Sequence, residues 1–352
     1  MQAIRLHPAP PGEPPYTPSN PAPTSALHLE TIPIPKPINP REILIKITSS
    51  TIIRDTLTWP ELYNDSHPLP IPGNDLSGTV VEVYPTDSHS RFKPGDEVFG
   101  MLPADRPGAW AEYVVVREGE IARKPKDLSW GEAAALPLSG LTAYEALFEH
   151  ASVSVPSDEE VLRNSKRDHS TPRNQTERKN VLITGAAGAV GTYIVQLARL
   201  AGLDVTGATS SNDRNAEFLL SLGADETIEY SSLDEPKQGN LYDIIIDTVG
   251  GKPLEDSWRC IKDNGTLITV DSSSFNFIAD HKERGIYKEG VKALFFIVQG
   301  GSNGLDTLAG IADLGLLRVF VLDVYPLDQI REAYGRANGR LSGRGKIILS
   351  IS

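Results

Sequence analysis

The sequence predicts an α/β protein with two parts, a strand-rich, turn-rich segment followed by a doubly wound parallel sheet. Residues 1–125 are rich in proline and glycine and contain short β-branched runs, such as Ile43 to Thr48. Such runs indicate strands joined by turns. Between residues 180 and 271, strand patterns alternate strictly with helical patterns. This alternation is typical of a parallel sheet that binds its ligand beyond the carboxyl ends of its strands.

The overall charge and length limit the classes of partner. The 352 residues contain 46 Asp plus Glu and 34 Lys plus Arg, a formal net charge of -12. Long-range electrostatics therefore repel polyanions, and we expect a small-molecule substrate rather than nucleic acid or a membrane surface. No apolar stretch approaches the ~20 residues of a membrane span, and the first residues lack the apolar core of a signal peptide. We expect a cytoplasmic protein, and leave open whether it forms a homodimer.

The glycine turn that opens the second part predicts a dinucleotide site. A short buried-strand pattern, Lys179 to Thr184, is followed by Gly185 to Gly191 (GAAGAVG) and by an amphipathic helix pattern, Thr192 to Leu200. A pyrophosphate requires a tight chain reversal, close approach to backbone N–H groups and the positive end of a helix dipole. Gly188 and Gly191 suit these demands.

The elements after this turn continue the alternation of strand and helix. The strand patterns span Asp204 to Thr209, Glu226 to Tyr230, Tyr242 to Asp247 and Gly265 to Asp271, and the helix patterns between them span Asn215 to Leu222 and Pro253 to Cys260. Residues 155–180, in contrast, are polar and charged and have almost no large apolar side chain. We interpret them as an exposed insertion loop, with a docking segment for a partner protein as the alternative.

The end of the second strand favours NADP over NAD. An Asp or Glu about 20 residues past the glycines would bind the ribose 2′-hydroxyl of NAD. Here Ser210, Ser211 and Arg214 follow the strand, and a 2′-phosphate needs donors of this kind. Asp213 is the alternative, because a shift of two residues would let its carboxylate take the ribose.

Eight short motifs follow one another along nearly the whole chain: Pro72 to Gly78, Lys93 to Val98, Ala109 to Val114, Leu138 to Ala143, Gly185 to Gly191, Ser221 to Asp225, Asp247 to Gly251 and Gly345 to Leu349. Together they resemble the medium-chain dehydrogenase/reductase superfamily, and within it the zinc-free quinone oxidoreductase and enoyl reductase-like branch. The resemblance implies a GroES-like catalytic domain over residues 1–125, completed by residues 291–352. A Rossmann domain that binds NADP would then occupy residues 126–290.

The resemblance also implies a set of cofactor contacts. Thr142 is expected near the nicotinamide, the backbone of Gly188, Ala189 and Val190 at the pyrophosphate, Ser211, Arg214 and Tyr230 around the 2′-phosphate and adenosine, Val249 and Val270 along the cofactor, and Phe296, Ile297 and Val298 beside the nicotinamide.

Metal ligands of the related zinc-dependent alcohol dehydrogenases are replaced here. Those enzymes bind catalytic zinc through a Cys and a His-Glu pair, where this chain has Ile52 to Asp55 and Asn74-Asp75. Cys260 is the only cysteine, so neither a disulfide framework nor a thiolate cage can be built within one chain. We expect no metal site.

The resemblance, without a Lewis acid, implies hydride transfer from NADPH to the activated C=C bond of an enone or enoyl substrate, or to a quinone. Related enoyl reductases use a Tyr as proton donor, and Tyr63 is the nearest candidate, while Asp55 could instead orient substrate or water. The alternative function is an NADP(H)-binding accessory, sensor or structural protein with little turnover.

Overall fold

A computed structural model describes residues 1–63, 69–84, 90–167, 178–234, 241–339 and 343–351 of the chain. Its strands are β1 (Gln2–Leu6), β2 (Leu27–Thr31), β3 (Glu42–Ile52), β4 (Asp75–Val83), β5 (Glu97–Met101), β6 (Tyr113–Arg117), β7 (Ile121–Arg123), β8 (Asn180–Thr184), β9 (Asp204–Thr209), β10 (Glu226–Glu229), β11 (Tyr242–Asp247), β12 (Ile261–Thr269), β13 (Lys292–Phe295), β14 (Val321–Pro326) and β15 (Lys346–Ser350). Its α-helices are α1 (Trp130–Ala135), α2 (Pro137–Tyr144), α3 (Asp158–Ser165), α4 (Gly191–Leu200), α5 (Asn212–Ser221), α6 (Gly251–Cys260), α7 (Phe277–Glu283), α8 (Ser302–Asp313) and α9 (Ile330–Asn338). No helix in these ranges is both long enough and apolar enough to span a lipid bilayer.

The chain divides into two compact units. Unit 1 comprises residues 1–138, 299–315 and 319–352, and unit 2 comprises residues 139–298 and 316–318. The sequence interpretation placed the boundaries near residues 125 and 290, whereas α1 falls in unit 1 and β13 falls in unit 2. Helix α1 belongs there because the Ser77 hydroxyl on β4 donates to the Trp130 carbonyl over 2.7 Å.

Unit 1 is built around the long strand β3. Its main sheet has the order β14-β15-β3-β4-β5-β7, with β6 also paired to β3, and β1 and β2 form a separate antiparallel pair. The β-branched side chains of Ile43, Ile45 and Ile47 are fully buried, as is Trp110 in the same hydrophobic core. Burial of these side chains removes apolar surface from water and holds the sheet in its register.

Unit 2 is a parallel sheet with the order β10-β9-β8-β11-β12-β13. The first and fourth strands of the unit, β8 and β11, lie side by side, so the order of the strands reverses between them. In open parallel sheets, ligands bind beyond the carboxyl ends of the strands at such a switch point. The predicted α/β fold, a strand-rich domain with a doubly wound parallel sheet, is confirmed.

Within the segment predicted as an exposed insertion loop, residues 158–165 form a helix, so the predicted loop is wrong there, although most of their side chains are exposed as predicted. Helix α3 begins after Ser157, whose hydroxyl accepts from the Glu160 amide while the Glu160 carboxylate accepts from the Ser157 amide. Val161 is 2% exposed, and Arg167 donates to the Leu203 carbonyl and pairs with Asp225, each over 2.8 Å. Residues 168–177 of the predicted loop lie outside the described residues.

Candidate functional site

The glycine turn between β8 and α4 forms a cradle of backbone groups. Gly185 has a φ of 67°, which an L side chain adopts only under strain. A Cβ atom at Gly191 would collide with the Gly185 carbonyl oxygen and lie 2.7 Å from the Ala186 Cα. Gly188 and Ala189 are exposed. The Gly188 amide, which was predicted to face the pyrophosphate, donates instead to the Gly185 carbonyl over 2.8 Å, and within the described chain the amides of Ala189 and Val190 have no such backbone acceptor. These amides at the start of α4 suit an anionic group.

At the end of β9, cationic and hydroxyl side chains are joined by a carboxylate from the neighbouring strand. Arg214 lies exposed in the first turn of α5, and its guanidinium donates to the Ser210 hydroxyl over 3.4 Å. Ser211 precedes α5 as its N-cap residue. The Glu229 carboxylate, from β10, accepts from the amide of Asn212, the first residue of α5, over 2.8 Å. The sequence interpretation did not include Glu229.

A buried carboxylate, Asp247, joins the carboxyl ends of three strands. It accepts from the Thr184 hydroxyl at the end of β8 and from the Thr269 hydroxyl at the end of β12, over 2.5 and 2.7 Å. It also accepts from the amides of Val249 and Gly250, over 3.4 and 2.9 Å. Burial raises the pKa of the Asp247 carboxyl, and these four hydrogen bonds only partly offset that effect. Asp247 thus fixes the turn that carries Val249.

The apolar residues predicted to line the cofactor lie around these strand ends. Val249 is 40% exposed and Ile297 is 63% exposed, while Phe296 is buried against the ring of His150, with ring centroids 4.2 Å apart. The Val270 amide donates to the Asp247 carbonyl over 3.0 Å. Val298 follows Ile297 and is half-buried.

Tyr230 and Thr142 are both more enclosed than their predicted roles suggest. The Tyr230 hydroxyl accepts from the Gly185 amide over 3.1 Å, so Tyr230 supports the glycine turn. Burial raises the pKa of the Tyr230 hydroxyl. Thr142 lies on α2 and is 5% exposed.

The two predicted catalytic residues of unit 1 belong to one hydrogen-bonded segment. Asp55 has a φ of 60°, its amide donates to the Asn338 side chain over 2.9 Å, and its carboxylate is 60% exposed. Tyr63 donates its hydroxyl proton to the Leu57 carbonyl and accepts from the Ala22 amide over 3.0 Å. The Tyr63 hydroxyl therefore already donates its proton to a backbone carbonyl. Of the two residues, Asp55 has the exposed polar group.

Asn74 and Asp75, which stand where the related alcohol dehydrogenases have zinc ligands, do not fit a zinc ion. The Asp75 carboxylate is fully buried and pairs with Lys346 over 2.7 Å, and it also accepts from the Thr51 hydroxyl and the Leu138 amide. Asn74 donates to the Leu102 carbonyl over 3.0 Å. Both oxygens of the Asp75 carboxylate therefore already have partners, so this group is not left to coordinate a cation. The described residues contain no group of three or more His, Cys, Asp and Glu that could hold one.

A nicotinamide dinucleotide, in contrast, fits the described end of unit 2. The glycine cradle offers amides to a pyrophosphate, the exposed apolar side chains of Val249 and Ile297 offer surface to a ring, and Arg214 offers a charge at the second strand. These are the three kinds of contact that such a ligand needs.

Comparisons with known proteins match both units. A sequence profile described as alcohol dehydrogenase GroES-like domain matches residues 39–126, and one described as zinc-binding dehydrogenase matches residues 222–349. A probable mitochondrial zinc-binding oxidoreductase of Arthroderma benhamiae is 35% identical over 336 residues, which cover 94% of each chain. A chloroplastic quinone-oxidoreductase homolog of Spinacia oleracea is 34% identical over 258 residues, covering 70% of this chain and 71% of the relative.

The fold also matches a solved structure over its whole length. The quinone oxidoreductase from Coxiella burnetii superposes with a TM-score of 0.77 and 24% sequence identity, covering 100% of this chain and 99% of that chain. The arrangement of strands and helices is therefore shared, whereas the identity of the substrate does not follow from it.

Proposed function

The chain belongs to the medium-chain dehydrogenase/reductase superfamily, and on this premise we propose that it is a zinc-independent, NADPH-dependent reductase of activated C=C bonds or quinones. Membership makes it an oxidoreductase with a nicotinamide cofactor. The choice of NADPH, the absence of zinc from the reaction and the acceptor class are the proposed parts.

The observation that carries the proposal is the set of donors at the carboxyl ends of β8 and β9. The amides of Ala189 and Val190 would hold the pyrophosphate, and Arg214 with the Ser210 hydroxyl would hold a 2′-phosphate. Charge-assisted bonds from a guanidinium are among the stronger hydrogen bonds in proteins. The quinone-oxidoreductase homolog of Spinacia oleracea supports the acceptor class.

The reaction requires the protein to orient the cofactor and the substrate, to exclude water from the hydride and to provide a source for one proton. When bound, NADPH supplies a hydride. An enone or a quinone can accept it without a Lewis acid, because conjugation spreads the negative charge that develops on the carbonyl oxygen. Val249 and Ile297 would provide apolar surface at the cofactor, and Asp247 holds the turn that carries Val249.

The proton that completes the reduction is assigned to water, with Asp55 as the side chain that orients it. Asp55 is exposed and its backbone is fixed by Asn338, so its carboxylate can accept a hydrogen bond from water. Tyr63 is less suited than its sequence position predicts, because its hydroxyl already donates to Leu57.

Steady oxidation of NADPH with a panel of enones, enals and quinones tests the proposal. We expect turnover with at least one acceptor class and the same rate after treatment with a chelator. If the protein binds NADPH but turns over none of these acceptors, the alternative of an accessory or sensor protein gains support. Stoichiometric zinc by elemental analysis together with chelator-sensitive turnover would refute the zinc-independent reaction.

A further inference from the structure

Glu229 lies where the ribose 2′ position of the cofactor is expected to bind, the position at which NADPH and NADH differ. Strands β9 and β10 are parallel, and Glu229 lies opposite Thr209, the last residue of β9. From there its carboxylate reaches the Asn212 amide, the first of α5, over 2.8 Å. In dinucleotide-binding sheets the end of this second strand meets the ribose 2′ position. A carboxylate therefore lies at the tip of β9 even though β9 itself ends without one.

A carboxylate at this point affects the two cofactors in opposite ways. It accepts from the amide that a 2′-phosphate would otherwise use, and its charge repels that phosphate. The 2′-hydroxyl of NADH is neutral and can donate to a carboxylate. Arg214 and the Ser210 hydroxyl favour binding of the 2′-phosphate, whereas the Glu229 carboxylate opposes it.

The bond from Glu229 replaces an ordinary helix cap. Ser211 is the N-cap residue of α5, a position at which a serine hydroxyl usually accepts from the helix, yet its side chain makes no such bond. The cap comes instead from the adjacent strand. A purely structural role for Glu229 would stabilise α5 without changing the choice of cofactor, and this difference can be measured.

We infer that Glu229 is a specificity-determining residue that weakens the selection of NADPH over NADH. The inference rests on the proposed function, since it assumes that the adenosine half of the cofactor binds at the end of β9. Arg214 and Glu229 then set the balance between the two cofactors, and loss of the Glu229 charge shifts that balance toward NADPH.

Calorimetric titration with adenosine 2′,5′-bisphosphate and with adenosine 5′-monophosphate tests the inference without using activity. We expect Glu229→Gln and Glu229→Ser each to bind the 2′-phosphorylated probe about tenfold more tightly than the parent, because one like-charge repulsion is removed. Binding of the monophosphate should stay within about threefold. Glu217→Gln, which removes the same charge from an exposed position on α5, should match the parent for both probes.

The outcomes separate this inference from the proposed function. If both probes bind the parent and neither Glu229 variant changes their ratio, Glu229 is a helix cap only and the inference is overturned. If neither probe binds the parent or any variant, the proposed cofactor site fails together with the inference. Circular dichroism of each variant establishes that it is folded before its titration is interpreted.

Discussion

Arg214 supplies the positive charge at the end of β9, and its removal should cost NADPH binding. We expect Arg214→Ala to weaken NADPH about ten- to a hundredfold, since one charge-assisted contact contributes ~1.5–3 kcal/mol. NADH, which lacks the 2′-phosphate, should bind nearly as before. Fluorescence titration of both cofactors measures this, with Arg163→Ala on α3 as a control for an exposed arginine. Equal losses for the two cofactors would show that Arg214 does not bind the phosphate.

Tyr63 should behave as a structural residue. Tyr63→Phe leaves the Leu57 carbonyl and the Ala22 amide without their partner, so we expect about 1–3 kcal/mol less stability. Turnover per folded molecule should be nearly unchanged. Urea unfolding and the rate of enone reduction distinguish this from proton donation, for which the rate would fall by roughly 10²–10⁴ at little cost in stability.

Local motifs could be predicted at the residue scale, and contacts between strands could not. The glycine turn and Arg214 depend on their own neighbours in sequence. Glu229 reaches the start of α5 only because β10 pairs with β9 in one register, and Tyr63 bonds to Ala22 across 41 residues. Composition and spacing contain no information on either pairing.

At the scale of elements, helix α3 shows how little apolar surface is needed to dock a short helix. Val161 is 2% exposed and Leu162, beside it, is 42% exposed. We expect Val161→Ala to destabilise unit 2 by about 1–3 kcal/mol, because it removes buried methyl groups. Leu162→Ala should have little effect and is the control. Equal melting temperatures for all three proteins would indicate that α3 does not contribute to stability.

The signal for α3 was present in the sequence. Ser157 and Glu160 have the spacing of a reciprocal helix cap, but the low apolar content of residues 155–180 outweighed it in the interpretation. A single apolar side chain on one face is enough when an arginine such as Arg167 finds a buried acceptor at the end of the helix.

The contribution of Asp247, which joins the ends of three strands, to the free energy of unfolding should depend on pH. Because its pKa is raised in the folded protein, the group contributes most stability below its unfolded pKa, and this contribution is lost as the pH rises through the raised value. The free energy of unfolding of the parent minus that of Asp247→Asn should therefore be larger at acidic than at alkaline pH. Denaturant unfolding across this range measures it, and a difference that grows with pH would contradict the raised pKa.

At the scale of the molecule, the alternation of strands and helices determined the class of fold, whereas the limits of the two units required the structure. Helix α1 follows Pro- and Gly-rich sequence and is rich in alanine, so composition assigns it to the second part. Its hydrogen bond to β4 places it in unit 1. The break between α1 and α2 falls at Leu136, before Pro137. Leu136 keeps helical dihedral angles, φ -79° and ψ -45°, but Pro137 has no N–H to continue the hydrogen bonds of α1.

The ion pair between Asp75 and Lys346 has a consequence for the order of events during synthesis. These residues are 271 positions apart, and β3 pairs with β15, which follows it at a similar distance along the sequence. A growing chain therefore contains most residues of unit 1 long before the main sheet of unit 1 can be completed. Unit 2 consists almost entirely of residues 139–298 and is complete earlier. We expect a chain that ends at Arg318 to hold unit 2 in a protease-resistant form while unit 1 is digested, and equal digestion of both would contradict this. We therefore expect residues 1–138 of unit 1 to fold later than unit 2, which follows them in the sequence.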